Sequence, residues 1–456
     1  MVEDQELTVK SEEYGLLTDL YQLTMAACYV GAGLDQRWAS FELSARRLPQ
    51  GFGYLIAMGL SQALDYLEKL QFTPTQIESL QATEIFAGAP AAFWDTLADC
   101  RFTGDVWAVP EGTAVFANEP LLRIEAPLWQ AQLVETYLLN TINYQTLIAT
   151  RAARLRDVAG PEAHLYEFGT RRAFSPQASL WAARAALAGG LDATSNVLAA
   201  LKLDRQPVGT MAHALVMALA ATEGSELQAF TTFHQYFPGA PLLIDTYDTI
   251  AAAKTLAEQV RSGHLQMRGV RLDSGDLLSL SQEVRSLLPE VPIFASGDLD
   301  EWKIAALRQG GACIDGYGLG TSLVTGTPVN GVYKLVDLDG IPVMKEASGK
   351  LTYPGRKQIF RRYAQGQLQG DTVGLITEVR NSQPEAGVEE KPLMQLFFKQ
   401  GEPIQSIEAL DQIAARTRAS VTALPAATRN LEQPQPPVLE LSPALQDLTQ
   451  RTRRHP

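Results

Sequence analysis

Strand-like runs that end in small, charged or hydroxylated residues recur through the second half of this chain. They read LYEFGTRR (165–172), GGLDATSN (189–196), PVGTMAH (207–213), LLIDTYDT (242–249), GVRLDSGDL (269–277), IFASGDL (293–299) and DGYGLGTS (315–322). Helical stretches separate most of them. An α/β chain that delivers polar groups at the C-terminal end of strand after strand is built like a parallel β/α barrel, whose active site forms at that end. Seven candidate strands stand where a closed barrel has eight.

The chain has 456 residues, enough for two or three domains. Its net charge of −13 argues against a nucleic acid partner, whose phosphates would be repelled. A small anionic substrate stays open, because a local arginine cluster reverses the sign inside a cleft. The three cysteines, Cys28, Cys100 and Cys313, give no disulfide framework and no CxxC metal pair. A reducing, cytoplasmic setting fits them. The acidic N-terminal MVEDQELTVKSEEY is no secretory signal. No apolar run is long enough to predict a membrane span.

Residues 1–148 read as the N-terminal part of an α+β domain. A helix is expected over about 18–31 with Thr18 as its cap, further helices over 60–99 broken near Pro74 and Pro90, and a small antiparallel β-unit over 101–126. A long helix from about 128 to 158 leads into the barrel, 149–329. Residues 330–430 return to β-structure, with Asp339-Gly340 as a hairpin turn. Residues 431–456 are expected to be a surface helix and a loose tail.

Several strand-end residues invite chemistry. His213 can serve as a base or as a nucleophile towards phosphorus, or it can be a buried histidine with a structural hydrogen bond. Asp245 and Asp273 can hold Mg²⁺ or stabilise a cationic sugar, while Asp248 and Asp276 suit helix capping equally well. Arg171, Arg172 and Arg271 offer bidentate forks for phosphate or carboxylate, set against ordinary salt bridges. Gly318, Gly320, Thr321 and Ser322 form a small-residue turn that lets backbone N–H groups approach a phosphate, with Ser296-Gly297-Asp298 as a partner loop; the plain alternative is a tight turn. Phe168 and Tyr21 are aromatic in polar settings. No GxxxxGK[ST] loop is present, so any ATP is held differently. These residues together describe an enzyme acting on a phosphorylated, anionic substrate with Mg²⁺.

TDLYQLTM, EFGTRR, DATSN, GTMAH, LIDTYDT, GVRLDSGDL, GLGTS and YPGRKQIFR, in this order over about residues 14–362, resemble the nicotinate phosphoribosyltransferases. The resemblance implies an incomplete α/β barrel with a second α+β domain, working as a homodimer with shared sites. It implies synthesis of nicotinate mononucleotide and pyrophosphate from nicotinate and phosphoribosyl pyrophosphate, coupled to ATP hydrolysis, for NAD salvage. His213 matches the transiently phosphorylated histidine. Phe168 and, from the partner copy, Tyr21 match the aromatics that sandwich the pyridine. Arg271 matches a residue near the pyridine substituent and the phosphoribosyl group, and Arg171 a phosphate contact. Asp245 and Asp273 match acids near ribose, pyrophosphate and Mg²⁺. Gly320, Thr321 and Ser322 match the ribose 5-phosphate loop, and Thr210, Ser296 and Gly297 are further substrate contacts. Ser195 stands where the related nicotinamide enzymes carry an aspartate, and a serine avoids repelling a carboxylate. The competing role for Ser195 is a helix cap.

Two positions depart from the pattern: Ala214 where serine is frequent, and Gly297 where asparagine is common. A nicotinamide-using relative and a catalytically silent pyridine- or nucleotide-binding relative are the alternative functions. With no cysteine after Cys313, no zinc is expected.

Overall fold

The computed structural model describes residues 7–347, 350–378 and 387–454. The first six residues of the acidic N-terminal segment and the last two of the tail lie outside the described residues. The chain divides into two compact units. One is continuous, Ile148–Thr327, and the other combines the chain up to Leu147 with the chain from Pro328 onward.

The continuous unit holds six short strands: β1 (His164–Glu167), β2 (Ala193–Thr194), β3 (Leu242–Leu243), β4 (Val270–Leu272), β5 (Ile293–Ala295) and β6 (Gly316–Leu319). Side by side they run β2-β1-β6-β5-β4-β3. Every ladder is parallel. The first and last strands in the chain are therefore neighbours, and β2 and β3 occupy the two ends. Leu242, Leu243, Val270, Leu272 and Ile293 are fully buried and pack with Ala253, Leu256 and Val284 from the intervening helices. β3 and β5 are buried at every position and read as unbroken apolar runs, whereas β1 and β4 carry polar residues among their buried ones.

PVGTMAH departs from its expected form. Residues 207–212 form no ladder. Pro207 has no N–H to donate, and Gly209 brings no side chain to pack. The segment still spans the two end strands by single bonds: the Val208 N–H donates to the Thr194 carbonyl at 3.0 Å, and the Thr210 hydroxyl to the Pro241 carbonyl at 2.7 Å.

Polar residues at the strand ends also start the next helices. Ser175, Asn196, Ser225, Asp248, Asp276 and Asp300 each accept a backbone N–H as N-cap. Asp248 and Asp276 are thus committed to capping, and Asn196 rather than Ser195 caps the helix Val197–Lys202.

The other unit is built on antiparallel pairing. Trp38–Ala45 lies between Gly331–Leu338 and Pro120–Pro127, with Asp105–Ala108 and Gln395–Lys399 beyond. Of the strands expected over 101–126, Asp105–Ala108 and Pro120–Pro127 pair antiparallel inside this seven-stranded sheet, while Ala114–Val115 pairs with Leu55–Ile56 in a separate two-stranded sheet. Asp339 and Gly340 both take positive φ, 52° and 79°, as the two-residue hairpin turn requires. The first helix runs Leu20–Gly31 with Asp19, not Thr18, at its N-cap and no side-chain cap bond. Glu440–Leu441 joins a second sheet alongside Thr372 and Val373. The helix Pro443–Arg454 buries Leu445. This is the surface helix expected in the last segment; it extends through Arg454 and packs by Leu445, Leu448 and Thr449 on one face. Among the described residues no helix is long and apolar enough to cross a membrane.

Candidate active site

The C-terminal ends of the parallel strands carry nearly all the candidate residues of this unit. Phe168 and Arg171 follow β1, Ser195 follows β2, Asp245 follows β3, Asp273 follows β4, Ser296 and Gly297 follow β5, and Gly320, Thr321 and Ser322 follow β6. Arg271 lies within β4. Thr210 and His213 come from the irregular connection and the helix His213–Glu223 instead.

Hydrogen bonds knit successive strand ends together. Asp245, buried, accepts on Oδ2 from the Asp273 N–H at 2.9 Å and the Ser274 hydroxyl at 2.6 Å. Asp273 in turn accepts the Ser296 hydroxyl on Oδ1. The other Asp245 oxygen, Oδ1, is buried without a partner. A buried carboxylate oxygen left unpaired is costly, which makes Asp245 Oδ1 a candidate acceptor for a ligand, an ion or water. The Arg271 Nε is buried and unpaired as well. Burial pulls the Arg271 guanidinium below its ordinary range, Asp273 and Asp245 oppose that, and the nearby positive charge of Arg171 adds to it. A cation held this way is poised for an anion.

His213 is the first residue of its helix. Its Nδ1 lies 3.1 Å from the Thr246 Oγ1, one residue beyond Asp245. That contact orients the ring and leaves Nε2 as the nitrogen not engaged in it. Ala214, exposed on the same helix, takes no part in it. The supporting hydroxyl comes from Thr246, which sequence reasoning missed.

At β1, Glu167 is buried and was missed too, standing between the aromatics Tyr166 and Phe168. One of its oxygens accepts the Gly169 N–H, and the other accepts the Thr194 hydroxyl at 2.5 Å. Burial raises its carboxyl above the usual range, against the pull of those two donors. The Phe168 N–H donates to the Leu319 carbonyl at 2.7 Å. Its ring lies against β6 at Gly318, where a Cβ would come within 2.6 Å of it.

Gly297 has φ +95°, and a Cβ there would stand 2.2 Å from the Asp273 carbonyl oxygen. Glycine at this departure from the family pattern is a steric requirement of the strand-end chain. Gly320 caps the short helix Thr321–Val324, and the Ser322 carbonyl accepts from Arg151. Tyr21 belongs to the other unit. It is half exposed, with its hydroxyl 3.3 Å from Glu135 Oε2. Burial of its hydroxyl, then Glu135 and Asp19, push its ionisation up.

A parallel α/β sheet with arginines and carboxylates at its strand ends, and a histidine opening a helix beside them, is an arrangement suited to phosphorylated substrates. Matches to known proteins narrow this. The N-terminal domain model of nicotinate phosphoribosyltransferase matches residues 16–143, the family model residues 163–291 and the C-terminal domain model residues 377–449. A nicotinate phosphoribosyltransferase of Mycobacterium tuberculosis is 38% identical over 437 residues, covering 93% of this chain and 91% of that protein. One from Bacillus subtilis is 42% identical over 397 residues, covering 83% and 79%. The crystal structure of human nicotinic acid phosphoribosyltransferase superposes with a TM-score of 0.81 at 31% identity, over 95% of this chain and 99% of that one. The chain belongs to the nicotinate phosphoribosyltransferase family.

Proposed function

We propose that this nicotinate phosphoribosyltransferase of NAD biosynthesis couples ATP hydrolysis to nicotinate mononucleotide formation through phosphorylation of His213. The observation that carries this reading is the His213–Thr246 bond beside the unpaired Asp245 oxygen. With the Nδ1 proton donated to Thr246, the Nε2 lone pair attacks the γ-phosphorus of ATP, and ADP leaves. Hydrolysis of the phosphoimidazole then releases inorganic phosphate each turnover.

In the transfer step the nicotinate ring nitrogen bonds to the anomeric carbon as the bond to pyrophosphate breaks. Positive charge develops on the sugar, and Asp245 and Asp273 are placed to stabilise it. Arg271 and Arg171 receive anionic groups of the substrates, and the turn Gly320-Thr321-Ser322 presents backbone to the 5-phosphate. Thr210, Ser296 and Gly297 complete the rim. Phe168 faces one side of the pyridine, and Tyr21 of a second copy supplies the other. This makes the working form a homodimer, in a cytoplasmic setting.

The donor set fits Mg²⁺, which takes hard oxygen ligands and is held by one or two carboxylates together with substrate phosphates. Among the described residues no group of three or more His, Cys, Asp or Glu could form a metal cage, so Asp245 and Asp273 are the residues that would hold it. Bound there, Mg²⁺ would neutralise charge on the departing pyrophosphate. The six-stranded sheet, closed between β1 and β6 and bridged by residues 207–212 elsewhere, is read as an incomplete β/α barrel.

Ser195 selects nicotinate over nicotinamide in this reading. Its N–H is held by the Glu167 carbonyl at 2.9 Å, and its hydroxyl is not spent on the helix cap. Replacing His213 with alanine tests the coupling. ATP hydrolysis should vanish while slow ATP-independent transfer continues; unchanged ATPase activity would remove His213 from this role.

A further inference from the structure

The buried carboxylate of Glu167 is not used by the chemistry above, and it joins two loops that are. Residue 168 carries the aromatic platform and residue 195 the hydroxyl read as selecting the pyridine. Glu167 touches the loop of each. One oxygen holds the Gly169 N–H directly after Phe168, the other holds the Thr194 hydroxyl directly before Ser195, and the Glu167 carbonyl holds the Ser195 N–H. Thr194 Oγ1 passes the connection on by accepting the Asn196 N–H at 2.9 Å. The Asn196 side chain then caps its helix by accepting the Ala199 N–H and donates to Ser179 Oγ at 3.2 Å.

The surroundings leave this bridge no slack. A Cβ at Gly169 would meet Val324 at 2.3 Å and the Glu167 carboxylate itself at 2.9 Å. Only 1% of Glu167 is exposed. A buried carboxylate is costly unless its oxygens are satisfied, and this one is satisfied by exactly the two loops in question. An ionised carboxylate offers acceptors on both oxygens, which two donors facing each other require. A glutamine keeps the shape but loses the charge and must reverse the Thr194 bond, its amide N–H donating to a hydroxyl that already accepts the Asn196 N–H.

We propose that Glu167 is a positioning residue for pyridine selection: through Gly169 and Thr194 it holds the Phe168 and Ser195 loops in one arrangement and so sets the preference for nicotinate over nicotinamide. This rests on the reading of Ser195 given above. Glu167 touches no substrate and acts only through the two loops.

The test is steady-state kinetics of Glu167→Gln, Thr194→Val, Thr194→Ser and Ser195→Asp with nicotinate, nicotinamide and phosphoribosyl pyrophosphate. Glu167→Gln and Thr194→Val should each raise the nicotinate KM by about ten- to a hundredfold, the effect of losing a hydrogen bond to a charged group. They should narrow the nicotinate-to-nicotinamide preference and leave the phosphoribosyl pyrophosphate KM unchanged. Thr194→Ser keeps the hydroxyl and should behave as the parent. If Glu167→Gln fails to fold, Thr194→Val carries the same test. Equal rises in both substrate KM values, or an unmoved preference in both variants while Ser195→Asp moves it, would overturn the role of Glu167. A Ser195→Asp enzyme with unchanged preference would overturn the underlying reading of Ser195, and the selectivity claim with it.

Discussion

At the scale of single residues the site is a set of committed and uncommitted polar atoms. Asp248 and Asp276 are committed to helix N–H groups, whereas Asp245 keeps a buried oxygen without a partner. Their spacing in LIDTYDT and RLDSGD is the same kind of signal, so only the fold separates cap from candidate catalyst. His213 stood out in the sequence as a candidate, but its place at the start of a helix and its partner did not. Thr246 lies 33 residues away, and a lone threonine between two acids carries no mark of it. A hydrogen bond that becomes charge-assisted on phosphorylation contributes about 1.5–3 kcal/mol. Thr246→Val should therefore lower the ATP-coupled rate by about ten- to a hundredfold. The ATP-independent rate should stay near the parent value. An equal loss in both rates would show that Thr246 serves the fold rather than His213.

Elements explain what the apolar pattern predicted and where it stopped. The runs at β3, β4 and β5 are legible because their buried Leu, Val and Ile residues belong to one core, while β1 and β6 are marked by the polar and small residues that follow them. PVGTMAH has a similar outline but forms no ladder, and only tertiary neighbours reveal that it bridges the ends of β2 and β3 by two bonds. Gly297 shows the same limit. As a departure from the family pattern it suggests a weakened contact, yet its backbone lies at φ +95° against the Asp273 carbonyl. Gly297→Asn should then not improve the enzyme. Strain at such a position costs about 1–3 kcal/mol, to be read as a lowered midpoint in thermal unfolding together with reduced transfer activity. An asparagine variant more active and no less stable would show that this loop has another conformation available.

The whole chain adds a further requirement, because one unit is assembled from its two separated ends. Buried ion pairs tie those ends together. Arg361 is paired bidentately with Asp371 and donates to the Ala114 carbonyl at 2.7 Å, while Lys357 meets Glu42 at 2.9 Å. Asp371→Asn should cost about 3–5 kcal/mol, since it leaves a buried guanidinium uncompensated. Glu119, fully buried beside this pair, has its carboxyl raised well above the usual range, first by burial and then by the charge of Asp371, with Arg361 opposing. Folding therefore favours its protonated form. Its ionisation is no burden below the ordinary carboxylate range and becomes a growing cost as pH rises from there towards its raised value. Glu119→Gln should flatten that fall in thermal midpoint with rising pH; an unchanged slope would mean that Glu119 is not the group responsible. The contacts of Arg361 with Ala114 and of Lys357 with Glu42 were not legible in sequence, because the return of the C-terminal strands makes them, whereas Arg361 and Asp371 face each other across one hairpin. At the level of assembly, Tyr21→Ala should raise the nicotinate KM. Mixed dimers of Tyr21→Ala with His213→Ala should regain part of the ATP-coupled activity, and no regain at all would contradict a site shared between copies.

The most direct test of the central claim is mononucleotide formation by the purified protein with phosphoribosyl pyrophosphate and Mg²⁺, comparing nicotinate with nicotinamide, each with and without ATP. Preferential turnover of nicotinate, stimulated by ATP and accompanied by an acid-labile phosphate on His213, is the expected result. Equal use of nicotinamide, or nicotinate turnover indifferent to ATP with no phosphate on His213, would contradict it.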